Sequence, residues 1–592
     1  MLQITKNKEI GGIIDSMKMK YITEKIFLIN DGNEKSFTTG GIISENGTIL
    51  IGCDDRLTPE IIKGMNLPDV IAIFCCDYRR SNNAGILNFN AADKYVNENF
   101  YGLTTRPELW FENPKNRWHL YKLRNDDDIL PYGADNVKKI ADADNGNGEI
   151  MIGGVKIKAL FTPGDTDYST SYIIEDKGKK VIFCGGLLYK GGKVPYIYRL
   201  TQDMYNNPDD DYHGFLGGIP RWKKSLNIIS QGDIVIPYLG GVIDNPKDDI
   251  KIFGKNIDEL YNRYTDISAM NFFGDSLTVN PDTKMKKAEE KEFPPYIKHL
   301  GSQCNIVCSK NGNAIAIDCG SSDAADKMIE NGEIKSIDAM YITHYHDDHV
   351  DGCGYFREHF DCPIYSDEIQ ADILKNPIRY RLSCISPVSV DVTPLKDGYS
   401  WRWHEFEMTS FAFPGQSLYH DGLTVKNLDT GDVIFFAGDS FTPTGIDDYC
   451  AYNRNLLMPG EGYFRCIDIL KKYMPDYIIN QHGGMCGFYF TPEQLEYMEK
   501  NLLERMRILS ELSVWDNINY LLDEYFVMAY PYEQDETDNI DVEFLISGYA
   551  DKARCEIVPP LKKSGNKSIY GIRVYVGDVY LGQKACFIVN HK

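Results

Sequence analysis

A duplicated α/β domain followed by a small β-sandwich is the fold class predicted by three observations on this 592-residue chain. Five blocks of the first half recur, in the same order, in the second. Within each half, short apolar strand-like runs bounded by turns alternate with helical stretches. After Trp515 the texture changes to short alternating runs, as in a sandwich of small strands.

The blocks can be paired one at a time. Ser44 to Asp54 (SENGTILIGCD) is answered by Ser309 to Cys319 (SKNGNAIAIDC), each an apolar strand, an Asn-Gly turn and a second strand, which is a hairpin pattern. Asp69 to Gly85 occupies the place of Ile337 to Gly352, and Phe161 to Ser169 the place of Phe413 to His420. Val181 to Leu187 (VIFCGGL) answers Val433 to Asp439 (VIFFAGD), and Asp233 to Gly241 answers Asp476 to Gly484. Each copy closes on a helical stretch, Lys247 to Ile267 or Thr491 to Leu512. The expected domains are therefore 1–280 and 293–515, joined by the charged, polar linker Asn280 to Pro295. A third domain, 526–592, is expected as a small immunoglobulin-like β-sandwich; its runs Cys555 to Val558 and Ile569 to Val576 are followed by a Gly577-Asp578 turn. Its charges are scattered, which suits packing or recognition rather than chemistry.

Charge and composition exclude some functions. Lys and Arg number 63 against 86 Asp and Glu, a formal charge of -23 that repels nucleic acid and anionic membranes. A small-molecule substrate is expected instead, and a homo-oligomer is left open. No apolar run approaches the ~20 residues needed to span a bilayer, and the first twenty residues lack a secretory apolar core. A cytoplasmic protein is expected. Fifteen scattered Cys with no CxxC pair fit reduced, buried thiols.

The chemistry concentrates in Thr343 to Gly352, THYHDDHVDG, where three of the chain's 11 His fall within six residues beside Asp348. Imidazole and carboxylate together suit zinc and similar divalent ions. His344 and His346 follow a strand and face the same way by its period of two, while Asp348 and His349 open the next helical stretch. Adjacent ligands with diverging directions serve two neighbouring ions more readily than one.

The second copy resembles a metallo-β-lactamase-fold hydrolase, whose hallmark is HxHxDH after a strand. The resemblance implies two tandem αββα sandwiches, a first metal held by His344, His346 and His420, and a second held by Asp348, His349 and His482. Asp439 in FFAGDS would link them. The family's third His usually follows Pro-Gly directly, where this chain has Gln416, with His420 four residues later. Two divalent ions, zinc first with iron or manganese as alternatives, would supply hydroxide near neutral pH and polarise the substrate. Asp348 would steer the attack and pass the proton on. Asp rather than Cys at 439 points away from antibiotic-degrading members and toward thioesterase, lactonase and phosphodiesterase branches. Tyr345, Tyr419, Gln481 and Arg454 are candidate substrate contacts. The leading expectation is a hydrolase of an ester, thioester or lactam-type bond. The alternatives are a phosphodiesterase or nuclease, an iron-dependent redox member, and a non-catalytic metal-binding scaffold.

The first copy lacks this apparatus. Asp77, Arg79, Ser81 and Asn82 stand opposite His344, His346, Asp348 and His349; Ser169, Leu187 and Leu239 stand opposite His420, Asp439 and His482. A guanidinium that never deprotonates occupies a ligand position. A domain without metal is expected there, kept for packing or for shaping the substrate entrance.

Overall fold

The computed structural model describes the chain except for residues 1–16, 113–128, 131, 141–145, 167, 195–217, 274–284, 302, 320–321, 381, 383, 448–459, 485, 513–532, 537–552 and 559. It divides into two compact units, Met1–Pro208 with His213–Glu259 and Ile508–Lys592, and Asp209–Tyr212 with Leu260–Arg507.

The second unit is a sandwich of a six-stranded and a seven-stranded sheet. Its core follows from period-two alternation. Ile315 and Ile317, Ala339 and Tyr341 on one sheet meet Met408, Leu423, Val425, Ile434 and Phe436 on the other, all buried. The first unit repeats the plan with a seven-stranded and a five-stranded sheet. There Phe74 on one sheet packs edge-on against Tyr172 on the other, 5.1 Å between centroids.

The duplication extends to strand direction. The hairpin Thr39–Ile43 with Thr48–Ile51 is followed by a parallel strand, Val70–Phe74. Likewise Cys304–Cys308 pairs with Asn313–Ile317, which in turn takes the parallel strand Ser336–Tyr341. In the other sheets Lys179–Gly185 takes a parallel partner, Ile234–Pro237, as Val433–Phe436 takes Tyr477–Ile479. The short helix Arg80–Asn83 lies in sequence where Asp347–Val350 lies in the second copy. Two α/β sandwiches in tandem are thus the architecture of the chain.

The C-terminal residues form one five-stranded sheet among those described, centred on the hairpin Lys567–Val576 and Val579–Asn590. Most of the remainder of the expected sandwich, including Ile540 to Ser547, lies outside the described residues. This sheet belongs to the first unit and is anchored on its sandwich. Arg573 Nε lies 2.7 Å from Asp55 Oδ2, the Arg56 guanidinium sits 3.7 Å over the Tyr580 ring, and the Tyr580 hydroxyl donates to Asp55. Burial alone would raise the Asp55 pKa, yet Arg573 and Tyr580 hold it below the ordinary carboxylate range. Gly582, at φ +105°, rides on the Arg80–Asn83 helix so closely that a Cβ would lie 2.6 Å from Ser81 O.

Candidate metal centre

The site forms where the strand Ser336–Tyr341 runs out. His344 and His346 lie in the loop beyond it, and the turn of helix Asp347–Val350 carries Asp348 and His349. Asp439 follows the strand Val433–Phe436, and His482 follows its parallel neighbour Tyr477–Ile479. Side chains drawn from distant blocks therefore meet at one edge of the sandwich. The ligand atoms of His344, His346 and Asp439 lie within 4.8 Å of one another, as do those of Asp348, His349 and His482.

Asp439 stands between the two groups. Its Oδ2 is 3.0 Å from His482 Nε2, 3.3 Å from His349 Nε2 and 3.7 Å from His344 Nε2. His482 Nε2 also lies 3.2 Å from Asp348 Oδ2. Asp439 Oδ1 is buried without a hydrogen-bond partner, which is costly unless a further species satisfies it. Against the effect of burial, His482 and His349 hold the Asp439 carboxyl well below its usual range. Burial and then the neighbouring imidazoles lower His344, and burial takes His420 to about 3, so both are neutral, the form that ligates a metal. His482 is pushed up to about 10, against its burial, by Asp439 and Asp348. Against burial, Asp439 and Asp348 raise His349 likewise, so the carboxylates draw positive charge to this place; with the neutral His344 imidazole and a shared carboxylate they are a donor set that fits divalent cations.

A second layer, which motif reading missed, orients these ligands. Asp318 ends the strand Asn313–Ile317 at φ +59° and is fully buried. Its Oδ2 faces His349 Nδ1 at 3.0 Å and accepts from Thr343 Oγ1 at 2.8 Å and Gln481 Nε2 at 2.8 Å. Thr343 Oγ1 in turn lies 3.0 Å from His344 Nδ1. One carboxylate thus fixes two imidazoles. Gln303 Nε2 lies 3.1 Å from His482 Nδ1. In space Gly52 takes the place of Asp318 in the first copy: its N–H donates to Phe74 O as that of Asp318 donates to Tyr341 O, and it shares the positive φ, at +67°. Asp318→Ala is expected to lower metal affinity about 10- to 100-fold by releasing His349; competition with a chromogenic chelator measures it.

The remaining candidates fall in different places. His420 packs beside His344, ring centroids 4.6 Å apart, but it is not in either close group of ligand atoms. Tyr345 and Tyr419 are 1% and 3% exposed and pack against each other beneath the surface. Gln481, expected at the pocket wall, is instead 1% exposed and holds Asp318. Arg454 lies outside the described residues.

At the equivalent place in the first copy there is a polar network. Arg79 Nη1 pairs with Asp165 Oδ1 at 2.7 Å and Nη2 donates to Asp165 O at 2.8 Å, both side chains buried. Asp165 stands where Gln416 stands in the second copy. Asp77 accepts from the Arg79 backbone N–H and from Asn82 Nδ2. The orienting pair is exchanged as well. Tyr238, opposite Gln481, covers Gly52, where a Cβ would lie 2.4 Å from its ring, and its hydroxyl accepts from Cys76 N. Among the described residues no metal-holding group occurs in this copy.

Residues 298–422 match the family model of the metallo-beta-lactamase superfamily, which supports that fold for the second copy. Two relatives are hydroxyacylglutathione hydrolases. That of Bdellovibrio bacteriovorus is 29% identical over 128 residues, 21% of this chain and 45% of that protein. That of a Marinomonas species is 28% identical over 74 residues, 12% of this chain and 28% of its own length. The chain thus spans less than half the length of these curated relatives. A solved Cronobacter sakazakii metallo-beta-lactamase is 16% identical, covering 40% of this chain and 92% of that one with a TM-score of 0.27.

Proposed function

We propose that the second copy is a dinuclear metal-dependent hydrolase acting on an ester, thioester or lactam-type bond of a small molecule. The observation that carries this is the position of Asp439 Oδ2, within 3.7 Å of imidazole nitrogens from both ligand groups. A structural metal site would be closed by four ligands, whereas this one gathers more than that around two positions. His344, His346 and Asp439 would hold one ion, and Asp348, His349, His482 and Asp439 the other, zinc fitting the nitrogen and oxygen donors. Bound there, the two ions would acidify a shared water and polarise the acyl oxygen.

The protein's own groups do the rest. Asp318 and Gln303 fix the ring orientations of His349 and His482. Asp348, with 39% of its side chain exposed, is the site carboxylate open to a substrate. It takes the proton of the attacking water and delivers it to the leaving group. The relatives named as hydroxyacylglutathione hydrolases support the acyl-transfer reading, and the charge of -23 argues against a nucleic-acid substrate. The first copy is read as a metal-free partner domain of a cytoplasmic enzyme. Elemental analysis with a panel of chromogenic ester, thioester, lactam and phosphodiester substrates tests the reading. Two zinc ions per chain with acyl hydrolysis is expected; bis-phosphate ester turnover alone, or purified protein that takes up no metal, would overturn it.

A further inference from the structure

We propose that the degenerate site of the first copy is an oxyanion site, in which the guanidinium of Arg80 holds a carboxylate or phosphate group. The inference stands on the first unit alone and does not depend on the metal centre.

Arg80 is 0% exposed, and its Nε, Nη1 and Nη2 are all buried without a hydrogen-bond partner. Among the described residues it makes no ion pair either. A guanidinium stays protonated in a protein, so burial is not relieved by loss of the charge. Enclosing an unpaired charge costs far more than enclosing a neutral polar group. Every donor of one planar fork is thus turned into the protein with nothing to receive it.

The acids of the neighbouring network are committed elsewhere. Asp77 Oδ1 accepts from Arg79 N at 2.9 Å, and its Oδ2 accepts from Asn82 Nδ2 at 2.7 Å. Asp165 Oδ1 accepts from Arg79 Nη1 at 2.7 Å. Asp165 Oδ2 is itself buried without a hydrogen-bond partner, so Arg80 does not reach even the oxygen that Arg79 leaves free. Its charge is left for a species from outside the chain.

The sister copy shows that this turn is a place where charge is gathered. With Asp77 opposite His344, Arg80 falls opposite Asp347. The turn of helix Asp347–Val350 carries two carboxylates, and Asp347 Oδ1 accepts from Asp348 N at 3.0 Å. In the first copy Arg79 and Arg80 replace His346 and Asp347, while Ser81 and Asn82 replace Asp348 and His349. Donors that suit a cation have given way to donors that suit an anion. Arg79 is neutralised by Asp165, and Arg80 carries the surplus. A guanidinium fork matches two oxygens of a carboxylate or a phosphate, a fit that a halide lacks. Because Arg80 is fully enclosed, exchange requires the first unit to open, and the anion should stay with the chain through desalting.

The full-length protein, desalted into a buffer free of phosphate and carboxylates, would be unfolded in urea and its released anions read by ion chromatography and ³¹P NMR. About one oxyanion per chain is expected, a phosphorus signal marking phosphate and its absence marking an organic acid. Arg80→Met should carry none, and Arg80→Lys, which keeps the charge and loses the fork, should lose it on desalting. Circular dichroism verifies that each variant folds. A second measurement needs no variant: phosphate or acetate, compared with chloride at equal ionic strength, should raise the thermal midpoint of the wild-type chain by about 2 °C or more. A wild-type chain that releases no oxyanion, or chloride alone, would overturn the proposal, as would equal oxyanion content in Arg80→Met.

Discussion

Asp439→Ala should cost the chain at least one metal ion and nearly all turnover, with kcat falling at least about 10³-fold, or ~4 kcal/mol of barrier. The expectation follows from position. Asp439 is 3% exposed, and a single oxygen of it lies within 3.7 Å of His344, His349 and His482. Removing it takes the shared ligand from both positions and leaves His349 and His482 facing one another without the anion between them. Asp439→Asn separates charge from shape, since the amide keeps an acceptor but cannot bridge two cations with equal strength. Metal content of the dialysed protein, with kinetics on the best substrate of the panel, measures both effects. Unchanged stoichiometry in Asp439→Ala would reject the shared-carboxylate site. The contrast with Asp318→Ala is informative, because that residue touches ligands and not the ion, so affinity should fall while stoichiometry at saturating metal persists.

Much of this site is written in local sequence, and the rest depends on contacts that no local pattern carries. His344, His346, Asp348 and His349 are legible because one loop presents them together, and Asp439 and His482 because each ends an apolar strand of a repeated block. Asp318 also ends such a strand, but nothing nearby shows its purpose. Its partner Gln481 comes from 163 residues further on. The exchange of Asp318 and Gln481 for Gly52 and Tyr238 is two unremarkable differences in an alignment, yet in space it is one substitution of a hydrogen-bonded pair by a ring against a glycine. His420 follows the Pro414-Gly415 turn in the region where the family resemblance sets a third His, and in space its ring lies against His344 while the Gln416 amide nitrogen lies 3.3 Å from Asp439 Oδ2. The C-terminal segment reads as a separate domain from its texture. Its anchoring pair, Arg573 with Asp55, spans 518 residues and leaves no periodic trace. Hydrophobic patterning specifies sheets and faces; one-to-one polar pairings between distant strands are fixed only when the sheets close.

Asp165→Ala should destabilise the first unit by about 3–5 kcal/mol while leaving the metal content of the chain unchanged. The Arg79 and Asp165 side chains are 1% and 0% exposed, and the pair is made at 2.7 Å, so removing the carboxylate leaves a guanidinium buried with its principal anion gone. Asp77 is the other acidic group in this network. Burial first, then Asp165, push it up to about 7 against the pull of Arg79, so it is only partly charged near neutral pH. The double replacement Arg79→Met with Asp165→Leu should recover most of the loss, because two apolar side chains of similar bulk can fill the space without desolvated charge. Hydrogen exchange in the strands Val70–Phe74 and Lys179–Gly185, which flank the pair, localises the effect to the first unit. A single variant with wild-type protection would mean that the ion pair is not what holds this region. A drop in bound metal in either variant would mean that the first copy contributes to the metal centre after all. If neither occurs, the ion pair stands where the sister copy places its ligands, and it serves the packing of a domain that no longer needs an ion.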